Sequence, residues 1–559
     1  MTLQIFGLMI FRRSREQQSC CLECRVKLCL AAERHSPGEN MALLFESLLL
    51  DISVGLASLL TLLYVYFTWN FDYWEKRGVP FVKPVPFFGT IKNLALGKDY
   101  EGALYKRIYD SFEGQRFVGV FQFRTPALVL RDPDLIKDAM VKNFSSFHDR
   151  GMPVEEETEP LTAHLFNLPG PRWRALRAKL TPTFTSGKMK MMYHLMAECS
   201  KQLRDYLQGP ASKGEELEMR EVMAQFTTDI IGSCAFGLEM NSMKASDSEF
   251  RRMGRKVFEA SFITSVRRLI IMTLNPLAKL LNFRFVDEEV NKFFLNAVKE
   301  TVQYREKHNI KRDDFMHLLI QLKNKEKLVD DETTNGHILT NDKDDINMTD
   351  NLLAAQAFVF FLAGFETSST LMSFALYELA LNPDIQARLR EEVDSVLQQH
   401  GGKLTYETLQ DMPYLDKVVS ESLRKYPPLG ILFRVCTKPY VIPGTNITVE
   451  EGTRIIIPAL GLHNDPNFYP DPERFDPERF DQENTARRHR FTYLPFGDGP
   501  RNCIGMRFGL LQAKLGMATL LRDFQFSPSK RTAIPIRFEP ASLVTASADG
   551  IHLKISRRE

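Results

Sequence analysis

A long run of hydrophobic residues lies near the beginning of the chain. Residues 52–69 read I-S-V-G-L-A-S-L-L-T-L-L-Y-V-Y-F-T-W and carry no charge. At ~1.5 Å per helical residue this run can cross the hydrocarbon core of a bilayer, and it ends in aromatic residues suited to the interface. A cleaved signal peptide would have a shorter apolar region followed by a small-residue cleavage site. The pattern therefore predicts a membrane anchor within residues 41–70.

The charges on either side of this run predict its orientation. Glu46 and Asp51 precede it, whereas Lys76 and Arg77 follow it. By the positive-inside rule the rest of the chain lies on the cytoplasmic face. Residues 1–40 lack hydrophobic periodicity and form an N-terminal extension, and we expect Met41 to be the true start. If the extension is translated, its arginines compete with this orientation.

The anchor is followed by a proline-rich stretch and then by one large domain. Residues 71–90 include P-F-V-K-P-V-P-F-F-G, whose prolines exclude a helix and favour a stiff, extended hinge. Residues 91–559 contain no Gly/Ser-rich or Pro-rich linker and are mostly helical in pattern, with strand-like runs at 116–123 and 127–130. The pattern predicts a mainly α fold with smaller β-sheets, of the α+β class.

One predicted helix is apolar nearly all round. It begins after Thr349, a good N-cap, and ends at Asn382-Pro383, so it is long enough to cross the domain as a buried central helix. Its middle contains Glu366 and Thr367, and a buried acid and hydroxyl are costly unless they are hydrogen-bonded. A proton relay is one interpretation. A structural kink, with Thr367 bonding back to a carbonyl, is the other.

Two further segments have weaker patterns. Residues 262–285 are apolar but interrupted by arginine and lysine, which suits either a surface lying in the membrane interface or core packing. Residues 329–350 are polar and acidic and predict a surface loop.

Composition narrows the chemistry. The formal net charge is +2, and the sequence shows no basic tract interleaved with aromatic residues, so nucleic acid is an unsuitable partner. Four of the eight cysteines crowd the first 30 residues, and the others are too scattered for a disulfide framework. Cys503 lies in a glycine-rich stretch, F-G-D-G-P-R-N-C-I-G, at 496–505.

Several basic residues are candidates for binding an anion. Trp173 and Arg177 are four residues apart on one helix face, where an indole N–H and a guanidinium can hold one carboxylate or propionate. The alternative is an arginine that packs its stem beside a half-buried tryptophan. Arg434 ends a strand-like run at 429–434 and can reach a buried anion.

A charged pair and a repeated phrase complete the candidates. Glu421 and Arg424 lie at i and i+3 on a predicted helix, a weak signal by itself. The phrase D-P-E-R-F-D-P-E-R-F at 471–480 offers two arginines, Arg474 and Arg479.

In this order, W-x-x-x-R, A-G-F-E-T, E-x-x-R, P-E-R-F and F-x-x-G-x-R-x-C-x-G resemble the motifs of a cytochrome P-450, a haem-thiolate monooxygenase. The resemblance covers nearly everything after Met41, and the last motif is its most specific part. The phrases at Phe147, Ala163 and Leu180 resemble the insect microsomal branch that handles xenobiotics.

The resemblance implies a haem b group and assigns roles around it. Cys503 would be the axial ligand of the haem iron, at the start of a helix near Ile504 whose dipole favours the thiolate. Phe496 would shield the sulfur, with Gly499 and Gly505 allowing close approach of the backbone. The expected propionate partners are Trp173, Arg177, Arg434 and Arg501; the expected contacts on the oxygen-binding side are Ala363, Gly364, Glu366 and Thr367.

The resemblance also implies a three-residue network and a reaction. Glu421 and Arg424 would join the P-E-R-F arginine, with Arg479 favoured and Arg474 the rival. The implied reaction inserts one atom of O2 into an apolar small molecule, with Glu366 and Thr367 steering protons.

Electrons must come from outside, because the sequence shows no dinucleotide-binding motif. The resemblance implies NADPH-cytochrome P-450 reductase, with cytochrome b5 as a further donor, at the endoplasmic reticulum membrane, where membrane lipid holds the anchor. The expected docking residues are Arg172, Arg174 and Lys179. A haem-thiolate isomerase or dehydratase, or a ligand-sequestering protein, is the alternative, but the intact acid-alcohol pair favours the monooxygenase. Insecticides, plant toxins and endogenous lipids all suit the expected apolar pocket.

Overall fold

A computed structural model of the chain describes residues 48–243, 249–258, 267, 270–271, 278, 280–324, 346–540 and 542–558. Most of the apolar segment at 262–285 and of the acidic loop at 329–350 lies outside the described residues. The extension at 1–40 lies outside them as well.

The chain divides into two units, residues 1–66 and 67–559. The described part of the first, residues 48–66, lies in the helix Leu48–Thr68, whose side chains are mostly exposed. This helix is long and apolar enough to cross a membrane. A second helix, Asp350–Leu381, passes the same test of length and composition, but it is largely buried and forms part of the core.

The fold is mainly helical, as the pattern predicts. The α-helices of the described residues are α1 Leu48–Thr68, α2 Lys92–Ala95, α3 Glu101–Ser111, α4 Pro133–Lys137, α5 Gly170–Leu180, α6 Ser186–Lys213, α7 Met219–Ile231, α8 Glu249–Phe258, α9 Glu288–His308, α10 Phe315–Lys323, α11 Asp350–Leu381, α12 Pro383–Gln399, α13 Pro413–Lys425, α14 Ala459–His463, α15 Gln482–Arg487 and α16 Met506–Asp523.

The strands of the described residues form small sheets. They are β1 Phe117–Gln122, β2 Thr125–Leu130, β3 Glu216–Glu218, β4 Leu432–Val435, β5 Tyr440–Val441, β6 Thr448–Val449, β7 Arg454–Ile457, β8 Phe524–Pro528 and β9 His552–Arg557. The sheet orders are β1-β2-β7-β4, β3-β9-β8 and β5-β6. In the first sheet β7 runs parallel to β2 and antiparallel to β4.

Helix α11 has the ends that the sequence predicts. The Thr349 hydroxyl accepts a hydrogen bond from the Leu352 N–H at 3.2 Å, which caps the first turn. Proline at position 383 begins α12 directly after Asn382. Most side chains along α11 are buried on all sides, which explains why no hydrophobic stripe distinguishes one face.

Glycines allow neighbouring helices to approach α11 closely. A Cβ on Gly516 of α16 would lie 2.6 Å from Met372 Sδ, and a Cβ on Gly364 of α11 would lie 2.7 Å from Ile231 Cδ1 of α7. The structure therefore gives Gly364 a role in helix packing.

Candidate active site

The cysteine loop at 496–505 folds back on itself. The Cys503 N–H donates to the Phe496 carbonyl at 2.8 Å, and the Asn502 N–H donates to the Gly499 carbonyl at 3.0 Å. Gly499 has a φ of +71°, and a Cβ there would lie 2.1 Å from the Met140 carbonyl oxygen. Glycine is therefore required at 499. A Cβ on Gly505 would meet only Phe184 among protein atoms, at 3.7 Å, so contacts within the protein do not require that glycine.

The Cys503 side chain is accessible, and its surroundings act on the thiol in opposite directions. Burial in the body raises its pKa, and this effect outweighs the Gly505 N–H and the charges of Arg177 and Arg150, which lower it. Helix α16 begins at Met506, two residues later than expected. The Gly505 N–H just before this helix lowers the pKa of the thiol, the direction expected of a helix start, but burial raises the pKa of the free thiol by more.

Arg501 is a buried cation tied to the segment before α5. Its Nε donates to the His148 carbonyl at 2.6 Å, and its Nη2 donates to the Leu168 carbonyl at 2.8 Å and to Asp149 Oδ1 at 3.2 Å. Its guanidinium carbon lies 4.1 Å from the centre of the Trp173 ring. The arginine that stacks on Trp173 is therefore Arg501. Trp173 itself is buried rather than half-buried.

Two more arginines, Arg177 and Arg150, lie near Cys503, and Arg434 lies near Arg150. Arg177 donates to the Asn502 carbonyl at 2.8 Å and to Asn502 Oδ1 at 2.7 Å. Arg150 donates to the Phe166 and Arg501 carbonyls, both at 3.0 Å. Burial lowers the pKa of Arg150, and the neighbouring charges of Arg434, Arg501 and Arg177 lower it further. This cluster of four arginines holds an excess of positive charge over the Asp149 carboxylate, which suits an anion.

Arg434 has a buried hydrogen-bond donor without a partner. Its Nη1 donates to the Phe433 carbonyl at 2.8 Å, but its Nε has no acceptor. Burial lowers its pKa to about 10. An orphaned donor on a buried cation is costly unless an acceptor such as a carboxylate binds there.

The middle of α11 presents one accessible face. Ala363 is exposed and Thr367 partly exposed within an otherwise buried stretch. The Thr367 hydroxyl donates to the Ala363 carbonyl at 2.6 Å, the back-bonding expected of a threonine in a helix. Glu366 points elsewhere and is ion-paired with Arg220 of α7.

Comparisons with known proteins identify the family. A family model described as cytochrome P-450 matches residues 79–554. The chain belongs to the cytochrome P-450 family. It is 46% identical over 514 residues to the probable cytochrome P-450 6a13 of Drosophila melanogaster, covering 92% of this chain and 99% of the relative.

Other insect relatives are similar over comparable lengths. Cytochrome P-450 6k1 of Blattella germanica is 44% identical over 508 residues, with 90% of this chain and 97% of the relative covered. Cytochrome P-450 6A1 of Musca domestica is 42% identical over 517 residues, with 91% and 98% covered. Membership of the family implies monooxygenase chemistry and a haem cofactor.

The residues around Cys503 fit a haem group. A P-450 haem offers iron to a cysteine sulfur and two carboxylates to cations. Here an accessible thiol is combined with an arginine cluster in excess of acid and with the orphaned Arg434 Nε. The donor set therefore matches both ends of the group.

The two copies of the P-E-R-F phrase in this P-450 differ in where their arginines lie. Arg479 Nε lies 3.4 Å from Glu421 Oε1, within ion-pair distance, whereas Arg474 is exposed. Arg424 donates to both Glu421 oxygens, at 2.7 and 2.8 Å, and to the carbonyls of His463 and Pro472. Arg479 is the arginine that lies beside the Glu421–Arg424 pair.

Sequence reasoning missed three contributors. Asp149 and Arg150 belong to the F-H-D-R-G phrase, which is irregular in structure and shows no periodicity to signal burial. His463 accepts the Leu494 N–H at its Nε2, 2.8 Å away, and its Nδ1 lies 3.2 Å from the Arg424 carbonyl. Burial, together with the Arg424 charge, lowers the pKa of His463 to about 3, so the ring is neutral. His463 thus joins the Glu421 network to the cysteine loop.

Proposed function

We propose that this P-450 is a membrane-anchored monooxygenase that inserts one atom of O2 into apolar small molecules, using electrons from NADPH delivered by a reductase. The observation that carries the proposal is the combination of the arginine-surrounded Cys503 with an accessible threonine, Thr367, in a buried central helix. Haem b, bound through the Cys503 sulfur, supplies the iron at which O2 is activated.

Different basic residues would hold different parts of the haem site. Arg434 offers an unused Nε and is the strongest propionate partner, with Trp173, Arg177 and Arg150 close to the same region. Arg501 already bonds to Asp149 and to two carbonyls, so it also fixes the cysteine loop against the segment that precedes α5. Phe496 holds the Cys503 N–H through its carbonyl and shields the sulfur.

Thr367 and Glu366 deliver protons from different sides of α11. The Thr367 hydroxyl holds a proton at the accessible face. Glu366 and its partner Arg220 line a solvent-open cleft of about 550 Å³ on the side of α7 and α8. The Glu366 carboxylate is therefore next to a solvent-open cleft, and to pass a proton towards Thr367 it would have to leave its ion pair with Arg220.

The side chains expected to line the substrate pocket are mostly apolar. Phe166 and Phe433 lie with ring centres 6.3 Å apart beside the arginine cluster, and the segments 153–166, 358–370, 429–433 and 542–545 are the expected walls. Few polar groups are available to orient one compound, which suits xenobiotics such as insecticides or plant toxins, or endogenous lipids.

We infer that the reductase docks on the side of the protein where Cys503 lies. Of the expected docking residues, Arg174 is exposed, Arg172 is paired with Glu156, and Lys179 donates to the Ile346 carbonyl at 2.6 Å. We therefore assign Arg174 the main role in docking the reductase, with cytochrome b5 as a second donor. The helix α1 anchors the enzyme in the endoplasmic reticulum membrane, with the body on the cytoplasmic face.

The test uses the full-length holoenzyme with NADPH-cytochrome P-450 reductase. We expect NADPH-dependent oxygenation of apolar compounds, and a reduced carbon monoxide complex that absorbs at about 450 nm. Cys503→Ser removes this band, whereas the control Cys436→Ser keeps it, because Cys436 is a buried thiol bonded to the Lys438 carbonyl. A band that survives in C503S refutes the ligand assignment. Turnover without reductase indicates an isomerase or dehydratase, and binding without turnover indicates a sequestering protein.

A further inference from the structure

Three consecutive carbonyls in the middle of α11 each accept a hydrogen bond from a side chain. The Ala363 carbonyl accepts from Thr367 of the same helix at 2.6 Å. The Gly364 carbonyl accepts from Gln512 Nε2 of α16 at 2.8 Å, and the Phe365 carbonyl accepts from the Thr227 hydroxyl of α7 at 2.9 Å. One turn of α11 is therefore held by donors from three helices.

A glutamine at position 512 costs folding free energy, because its polar amide is buried. Its side chain is completely buried, and its Oε1 has no hydrogen-bond partner. Since a carbonyl can only accept, the atom that faces Gly364 must be the amide nitrogen, and this fixes the orientation of the side chain. A buried unsatisfied acceptor costs stability that an apolar residue of the same length would not cost. The single bond to Gly364 is the feature that justifies an amide there.

The location of this bond links the two halves of the active site. Gln512 lies on α16, the helix that follows Cys503, and its acceptor Gly364 lies one turn before Thr367. Gly509 and Gly516 on the same helix bring α16 close to α11, since a Cβ on either would lie within 4 Å of an α11 side chain. A protein contact thus connects the thiol helix to the threonine turn.

We propose that Gln512 is a positioning residue that sets the place of the Thr367 hydroxyl relative to Cys503. This inference rests on the proposed role of Thr367 in proton delivery. Thr227 of α7 is fully buried and donates to the next carbonyl, that of Phe365. We call the three donors Thr367, Gln512 and Thr227 the carbonyl clamp.

The carbonyl clamp acts because its side-chain donors compete with helical N–H groups for the same three carbonyls. In a regular α-helix these carbonyls accept the N–H groups of residues 367–369. A side-chain donor that shares a carbonyl weakens the helical bond and loosens the turn. Without Gln512, the Gly364 carbonyl belongs wholly to the Ser368 N–H, so the turn tightens and Thr367 moves from its working position.

The test compares Gln512→Met with a matched control in the full-length holoenzyme. Met keeps the length of the side chain and removes the donor. The control is Gln386→Met, because Gln386 is another buried glutamine whose amide bonds to main-chain groups, at the Leu379 and Phe526 carbonyls and the Phe526 N–H. Both variants should keep the absorption band at about 450 nm.

Two readouts separate positioning from packing. We expect Q512M to lower the ratio of product to NADPH consumed about threefold, with more peroxide released, and Q386M to leave the ratio unchanged. Hydrogen exchange of the amides at 367–369 should become slower in Q512M. General loosening of the structure would make it faster.

A second variant keeps the inference falsifiable if Q512M does not fold. Thr227→Val is nearly isosteric and removes the donor to Phe365, so it should shift coupling and exchange in the same direction. Unchanged coupling and unchanged exchange in the folded variants would overturn the inference, as would an equal loss of coupling in Q386M. If the wild-type enzyme itself oxygenates nothing, the proposed function fails, and the exchange measurement still decides whether Gln512 loosens the turn.

Discussion

Replacing Glu421 with glutamine should destabilise the protein strongly. Glu421 and Arg424 are both completely buried, and Arg424 directs two donors to the Glu421 carboxylate. The same carboxylate accepts the Asp476 N–H at 3.0 Å and lies beside Arg479. Glutamine keeps the shape but removes the charge, so two arginines lose their counter-ion in a low-dielectric interior. Breaking a buried ion pair by neutralising one partner costs about 3–5 kcal/mol.

The assay is chemical denaturation followed by circular dichroism, with loss of the band at about 450 nm as a second signal. The control is Glu483→Gln, because the Glu483–Arg487 pair is exposed and separated by one helical turn. Such a pair contributes about 0.3–0.5 kcal/mol. If E421Q shifts the midpoint no more than E483Q, the network does not hold the fold in the way its geometry indicates.

Three further predictions test other parts of the site. Arg434→Met should weaken haem retention about tenfold or more, because it removes the buried Nε donor, and a haem-transfer assay to apomyoglobin measures it. Thr367→Val should lower the ratio of product to NADPH consumed while leaving the carbon monoxide band intact; unchanged coupling would remove Thr367 from the proton route. His463 and His164 are buried with pKa values lowered to about 3, so their contribution to stability is complete above their unfolded pKa of ~6.5 and is lost as the pH falls from ~6.5 towards 3. Each histidine should add ~1.4 kcal/mol per pH unit to the slope of the free energy of unfolding against pH in this range. A His164→Phe variant with the wild-type slope would contradict this.

The sequence predicts the parts of the fold that local rules govern. Helix α11 starts and stops where a threonine cap and a proline place it, and β1 and β2 lie close to the strand-like runs that predict them. These features depend on neighbours a few residues away, so the sequence contains what is needed to find them.

Other features depend on distant residues. The two P-E-R-F phrases are identical in sequence, and only the place where the chain returns beside α13 makes Arg479 the partner of Glu421. The direction of the Cys503 pKa depends on how deeply the loop is buried, which no motif encodes. Asp149 and Arg150 sit in an irregular segment, so their burial among arginines could not be read from periodicity.

Hydrogen bonds from three separate elements tie the cysteine loop to the rest of the domain. His463 binds the Leu494 N–H before the loop, Arg177 binds Asn502 beside Cys503, and Arg501 binds the segment at 148–168. These bonds come from three separate elements and involve only protein atoms. Because each anchors a different point, these bonds restrict the conformations open to the loop, which lowers the ordering cost that haem binding would have to meet. The positive charge left over by this arrangement, and the unpaired Arg434 Nε in particular, is what we propose would bind the haem propionates.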